Sequence, residues 1–318
     1  MAATVYFATN RGLSGPAEQW QSYGTGIVSP TDPTALTYGT AFVDDANLTA
    51  DTTGAIRSIQ SIAKGGFDAG AAADLSAPGR NLLVFIHGFD NSFENAITRA
   101  AFNQQWFLQS GIPAASTTVI AFSWPSLGNL LSFPVPWEDY LHDQTMAGQS
   151  GAHLMNFFSA LRPIVTAARA SGSRIILLAH SMGNWALQAG VESWFAHGNH
   201  AAPLFDEAIL AAADERFDGF GFPLNGRLSG LHLLTKRTSI YFSRNDSVLQ
   251  LSMTVNLGAQ RLGQAGPQHL SDPAVFPPAQ YRMVDCVGFA DYDVNFASSH
   301  QYYRRSPGVR MDIAGVMA

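Results

Sequence analysis

Apolar and polar positions divide the chain into two regimes. Beyond residue 80, short apolar runs alternate with stretches of helical period. Residues 82–86, 118–122, 175–179 and 208–212 are apolar runs of strand length, and 238–242 and 281–287 are weaker ones. Runs that lack polar alternation suit strands buried on both faces, as in a parallel sheet covered by helices. Between them, Phe93, Ile97, Ala100 and Phe107 recur at helical spacing. Asn91-x-x-Glu94 resembles a capping box that would start this helix, and Gly111 and Pro113 would end it. Met155, Phe158, Leu161, Val165 and Ala168 mark one face of a second helix, which Pro163 is expected to kink or divide. A third helix is expected from Met182 to about Ala196. Repeated strand–helix–strand order predicts an α/β fold with a mostly parallel central sheet and helices on both faces.

Residues 1–80 read differently. They are rich in Gly, Thr, Ala and Asp, with two expected strands, 5–8 and 36–43, among turn-formers such as Ser29-Pro30 and Asp32-Pro33. They hold too few large apolar residues for a core of their own. The expected organisation is one domain: an N-terminal extension with edge strands (1–80) on an α/β core (81–318). A chain of 318 residues buries enough surface to need no disulfide or structural metal.

Composition narrows the function. Charged residues make up 13% of the chain, about half the usual share, and 47% are hydrophobic, which argues against disorder and coiled coils. With 18 Lys+Arg against 24 Asp+Glu the net charge is −6, so nucleic acid is not expected as a partner. The one cysteine, Cys286, precludes an intrachain disulfide and reads as a small buried hydrophobe. No apolar run approaches the ~18 residues of a membrane span, and the N-terminus lacks the basic start and long apolar stretch of a signal peptide. A cytoplasmic location is the expectation.

The chemistry concentrates at Ile175-Ile-Leu-Leu-Ala-His180-Ser181-Met182-Gly183. A buried strand runs into a serine flanked by small residues and then into a helix. This resembles the nucleophile elbow, Gly-x-Ser-x-Gly, of α/β hydrolases, with Ala179 in place of the first glycine. Such a turn lifts the serine hydroxyl clear of the sheet. An upstream strand ends in His87-Gly88-Phe89-Asp90, where hydrolases of this fold supply one N–H to the oxyanion hole. The donors here would be the backbone N–H groups of Phe89 and Met182.

A serine hydroxyl needs a base, and the base needs an orienting acid. In this fold they follow in the order serine, acid, histidine. Asp246, after the strand at 238–242, is the leading acid candidate, and Asp214 the second. Asp246 also reads as a helix cap. His300 is the leading base. His197 and His200 end the third helix, His232 precedes the acid, and His269 lies in a Gly/Pro/Gln-rich loop. His180 is expected to pack beside the turn.

Six blocks together, Phe7-Ala-Thr-Asn-Arg11, Val84-Phe-Ile-His-Gly-Phe-Asp-Asn-Ser-Phe-Glu94, Phe122-Ser-Trp-Pro-Ser126, Ala179-His-Ser-Met-Gly-Asn184, Ser243-Arg-Asn-Asp246 and His300-Gln-Tyr-Tyr303, resemble a bacterial esterase/lipase-like family of α/β-hydrolase proteins of uncharacterised function. The resemblance spans nearly the whole chain. It implies the α/β-hydrolase fold and carries the triad roles onto Ser181, Asp246 and His300, without supplying a substrate.

The segment 124–140 is long, aromatic and rich in proline. Trp124, Phe133 and Trp137 are expected to wall a substrate pocket, with His87 beside them. The stretch 213–230 is too short for a large cap domain, so an accessible cleft for small or medium acyl esters is expected. Arg304-Arg305 reads as a solvated basic pair. No phosphate loop, His-Glu-x-x-His motif or dinucleotide fingerprint occurs, and His197-x-x-His200 lacks further ligands. The expectation is no cofactor and no metal. The function these residues predict is a serine hydrolase, most simply a carboxylesterase on a small-molecule ester. Thioesterase, amidase or acyltransferase chemistry uses the same residues, and a non-catalytic binding protein on this fold is the alternative.

Overall fold

The apolar runs become the middle of a twisted sheet. A computed structural model of the chain describes residues 2–44, 46–51, 54–112, 116–128, 137–199, 203–221, 227–289 and 291–317. In chain order the elements are β1 (Ala2–Thr9), β2 (Arg11–Leu13), β3 (Tyr23–Ile27), β4 (Thr37–Asp44), β5 (Ala55–Lys64), α1 (Ala69–Leu75), β6 (Arg80–Ile86), α2 (Phe93–Ser110), β7 (Ser116–Ser123), α3 (Trp137–Gln149), α4 (Gly151–Ala170) and β8 (Ile175–His180). There follow α5 (Gly183–Ala196), β9 (Phe205–Ala211), α6 (Leu231–Leu234), β10 (Thr235–Phe242), α7 (Ser247–Val255), α8 (Leu262–Ala265), β11 (Tyr281–Asp285), α9 (Tyr302–Arg305) and α10 (Pro307–Val316).

The main sheet runs in the order β11-β10-β9-β8-β6-β7-β1-β4-β5. Every pairing from β11 across to β1 is parallel, and β4 and β5 add antiparallel pairings at one edge. This is the α/β-hydrolase fold in its mostly parallel form. Side chains of successive residues enter opposite cores. Leu82, Val84 and Ile86 join one cluster with residues of α1, α3, α4 and α5, while Leu83 and Phe85 join the other with α2 and α10. That two-sided burial is why these strands read as unbroken apolar runs. Each large side chain so buried contributes roughly 1.5–3 kcal/mol. Among the described residues, no helix is long and apolar enough to cross a membrane.

Chain order sets where the site forms. The chain leaves β6 for β7 on one side and crosses back to β8 on the other. The topological switch point therefore lies between β6 and β8, where a crevice opens at the C-terminal ends of the strands. Ile86 pairs with Ala179 and His180 with Ala211, so β6, β8 and β9 end level with one another.

Four expectations change. First, β1 is not an edge strand: it lies between β7 and β4. Val5 and Phe7 enter one core and Tyr6 and Ala8 the other, so it is buried like the central strands. The edge on this side is β5, which leaves little trace in the sequence because only Ile56 and Ile59 of its ten residues are buried and its register with β4 shifts. Second, α2 is capped by Ser92, whose hydroxyl accepts the Asn95 N–H at 3.1 Å. Asn91 is drawn into the preceding loop instead, and Glu94 turns to the Ile56 N–H. Third, α4 runs through Pro163 as one helix. Leu161, Ile164 and Val165 are held in the core around it, which offsets the ~3 kcal/mol a helical proline costs. Fourth, the segment 124–140, where no helix is expected from the sequence, ends in one: α3 starts at Trp137 with Glu138 and Asp139 favourably placed in its first turn. Pro113, expected beyond the end of α2, lies outside the described residues.

Candidate active site

At the end of β8, Ser181 adopts φ +54°. A left-handed conformation costs a non-glycine residue roughly 1–2 kcal/mol, so the surroundings must hold it. They do so from several directions. The Ser181 N–H donates to the Ala211 carbonyl at 3.0 Å, extending the β8–β9 ladder one residue past the strand. Its own carbonyl accepts the Asp214 and Asn184 N–H groups. The Asn184 carboxamide reaches back to the carbonyls of Ala179 and Ser181, both at 3.1 Å. Gly183 is obligatory: a β-carbon there would collide with the His87 carbonyl and stand 2.7 Å from that of Ile86. The elbow expected from the sequence is thus clamped against the end of β6.

His300 arrives on a buried single turn, Ser298–His300. Its Nε2 lies 2.7 Å from Ser181 Oγ and its Nδ1 2.7 Å from Asp246 Oδ2. Asp246 is the N-cap of α7, and its other oxygen accepts the Leu249 N–H at 2.9 Å. One oxygen of Asp246 thus caps α7 while the other meets the His300 ring. The Ser247 N–H donates to Ser299 Oγ at 3.0 Å, tying the start of α7 to the histidine turn. Asp214 is not in this chain of bonds. It receives Tyr140 Oη, Ser252 Oγ and the buried guanidinium of Arg261.

The loop after β6 is fastened just as firmly. Asn91 donates to the carbonyls of Gly88 and Phe89. Asp143 of α3 accepts the Asp90 and Leu127 N–H groups and the Ser126 hydroxyl. Arg11, fully buried, spreads its guanidinium over Ser123 Oγ, the carbonyls of Gly24 and Ser126, and the Asn91 carbonyl. Burial brings its pKa down to about 9, still well above neutrality. Among the described residues, neither the Phe89 N–H nor the Met182 N–H meets a protein acceptor. Arg11, Asn91 and Asp143 were not singled out as site residues. Their signal was an unusual one, polar residues at positions the fold buries.

The cleft above these groups has a volume of about 310 Å³, and its walls include Phe89, Trp137, Tyr140, Val248, Leu251 and Val255. The last three recur at one face of α7, which the sequence did not flag. Trp137 lines the cleft as expected. His87 and Trp124 do not reach it, which corrects the sequence reading. Their rings stack at 4.9 Å and 9°, and Trp124 Nε1 donates to the His87 carbonyl at 2.8 Å. Both are buried behind the loop they support, and burial lowers the His87 pKa to about 3, so it is neutral. Phe133 lies outside the described residues. His180 packs beside the turn, with Nε2 at 3.3 Å from the His300 carbonyl. Arg304 and Arg305 are not a solvated pair. Arg304 is buried and bonded to Gln301 and the Ala50 carbonyl, and Arg305 pairs with Asp51.

A larger hollow of about 740 Å³ lies at the other end of the sheet, beside Tyr6, Asp74 and Arg80, and contains none of the clustered groups. Among the described residues, no three His, Cys, Asp or Glu side chains group as a metal would need.

No curated protein matches the chain. Two solved structures show a weak likeness. A hormone-sensitive lipase from a metagenome library is 13% identical, with a TM-score of 0.33 over 86% of this chain and 82% of that one. The peroxisomal α/β-hydrolase Lpx1 of Saccharomyces cerevisiae is 8% identical, with a TM-score of 0.36 over 99% of this chain and 88% of that one. The model of one family, described as an alpha/beta hydrolase of unknown function (DUF900), matches residues 69–316, a span that holds the elbow, the histidine turn and the loop after β6, and the chain belongs to that family.

Proposed function

We propose that the protein is a serine hydrolase that cleaves carboxylic esters of small or medium acyl groups. The observation that carries this reading is His300, bonded on one ring nitrogen to Ser181 Oγ and on the other to Asp246, at 2.7 Å each. In this reading Ser181 Oγ attacks the acyl carbon as His300 Nε2 takes its proton. Asp246 holds the ring with Nδ1 protonated and balances the imidazolium that forms. The N–H groups of Phe89 and Met182 receive the oxyanion, and such a donor contributes roughly 10²–10³ in rate. His300 then returns the proton to the departing alcohol. Water, deprotonated by the same nitrogen, releases the acid from the acyl-enzyme and restores Ser181.

The cleft of about 310 Å³ is at the small end for ligand pockets, which favours short acyl chains. The test is labelling with a fluorophosphonate, which requires an activated serine, together with hydrolysis of a chain-length series of aryl esters. Labelling at Ser181 and turnover that declines with long chains are expected. Ser181→Ala should abolish labelling and lower turnover by about 10⁶. Hydrolysis retained in that variant would refute the assignment.

A further inference from the structure

One wall of the cleft carries a charge that the ester chemistry does not use. Arg99, on α2, lines the same hollow as Ser181, His300 and Gln301. Its Nε donates to Asn91 Oδ1 at 3.0 Å, the carboxamide that holds the carbonyls of Gly88 and Phe89. Among the described residues, no acceptor meets its Nη1 or Nη2 and no carboxylate pairs with it. The fork is therefore anchored at its root, and among the described residues both terminal nitrogens are left over.

The surroundings raise the local positive charge. Arg99, Arg304 and Arg305 lie close enough to act on one another, and the carboxylate that acts on them, Asp51, is already paired with Arg305. Burial works against the charged form of both Arg99 and Arg304. The carboxylates in the cleft do not cancel the excess: Asp214 is neutralised by Arg261, and Asp90 has partners of its own. A half-buried guanidinium whose two terminal NH2 groups are unpaired among the described residues is shaped for a bidentate oxyanion. Val248, Leu251, Val255 and Trp137 give the cleft apolar contact, and Tyr140, Ser252 and Thr254 add neutral polar groups but no second cation.

We propose that Arg99 binds a carboxylate on the substrate, so that the preferred esters carry a second, anionic group, as in monoesters of short dicarboxylic acids. The inference rests on the serine-hydrolase reading for its reaction but not for its binding. A bidentate charge-assisted contact of this kind is worth roughly 10- to 100-fold in selectivity.

The experiment compares kcat/KM for the 4-nitrophenyl monoester of glutaric acid with that for the neutral 4-nitrophenyl pentanoate, at low and high salt. The ratio is expected to exceed ten in the parent, to fall with salt, to approach one in Arg99→Gln and to recover in part in Arg99→Lys. Using the ratio cancels any disturbance of the Asn91 loop, because both esters meet it equally. A parent ratio of one or less, or a ratio that Arg99→Gln leaves unchanged, overturns the inference while leaving the hydrolase reading intact. Calorimetric titration of glutarate into Ser181→Ala separates the two in the other direction. Binding there that Arg99→Gln removes supports the carboxylate site even if no ester is cleaved. Competition by inorganic phosphate but not by glutarate overturns the choice of carboxylate.

Discussion

Gly88 sits so close beneath Ser181 that a β-carbon on it would stand 2.8 Å from Ser181 Cβ and 3.1 Å from the His180 carbonyl. The loop after β6 and the elbow after β8 thus meet through a gap that admits only hydrogen. In the proposed reaction, this contact sets the Phe89 N–H against the serine hydroxyl. Gly88→Ala should force the two apart and lower kcat by roughly 10²–10³ with little change in KM, the loss expected for one oxyanion donor. Ester kinetics alongside a circular-dichroism melt checks it, and parental kcat in a folded variant would contradict the role proposed for Phe89.

Asp246 does two tasks with one carboxylate, and substitutions separate them. Asn in its place still offers an oxygen to the Leu249 N–H but presents an amide to His300, favouring the wrong tautomer. Asp246→Asn should lower kcat about 10⁴-fold with a nearly parental melting temperature. Asp246→Ala should lose comparable activity and about 1 kcal/mol of cap besides. Denaturant melts of the two variants distinguish them, and equal stability would remove the capping role.

Arg11, at the start of β2, ties that strand to β3 and to the loops after β6 and β7. Arg11→Met keeps the apolar stem but strands four acceptors and leaves the buried Asp143 without its guanidinium neighbour. The expected cost is about 3–5 kcal/mol of stability. Turnover should fall too if the proposed reaction holds, since the Asn91 carbonyl it holds belongs to the loop proposed to bind the oxyanion. Urea unfolding measures the first effect and ester kinetics the second. A loss below 1 kcal/mol would show that Arg11 is dispensable to the loops.

Glu215 lies buried after β9, with one oxygen on the Arg216 N–H and the other unpartnered among the described residues. Burial raises its pKa from 4.5 to about 7. The folded state therefore holds this proton more tightly than the unfolded chain. Its contribution to stability is whole below pH 4.5, is lost as pH rises through the range to 7, and stays lost above it. The loss amounts to roughly 3 kcal/mol. Glu215→Gln cannot ionise, so its stability relative to the parent should improve from pH 5 to about pH 7 and level off above it. Guanidinium unfolding at several pH values tests this, and a difference independent of pH would exclude the effect.

The central strands were legible because two-sided burial leaves a plain trace: residues 82–86 and 175–179 contain nothing polar. The elbow was legible because close packing demands small residues, and Gly183 records that demand directly. β5 was not legible, since an edge strand needs only Ile56 and Ile59 on its inner face. Asn91 misled for the opposite reason. Its residue type fits a helix cap, yet the neighbouring Ser92 took that place while Asn91 bonded carbonyls in its own loop.

By itself, then, the order of apolar runs and small residues determined an α/β sheet with a serine at a strand end, because burial and steric exclusion act on each residue where it stands. Which carboxylate meets His300, which aromatic rings face the cleft, and where Arg99 directs its charge were decided by tertiary structure alone. Those outcomes depend on the meeting of segments far apart in the chain, as with Ser181 and His300, and hydrogen-bond directions and burial at such a meeting are properties of the assembled sheet.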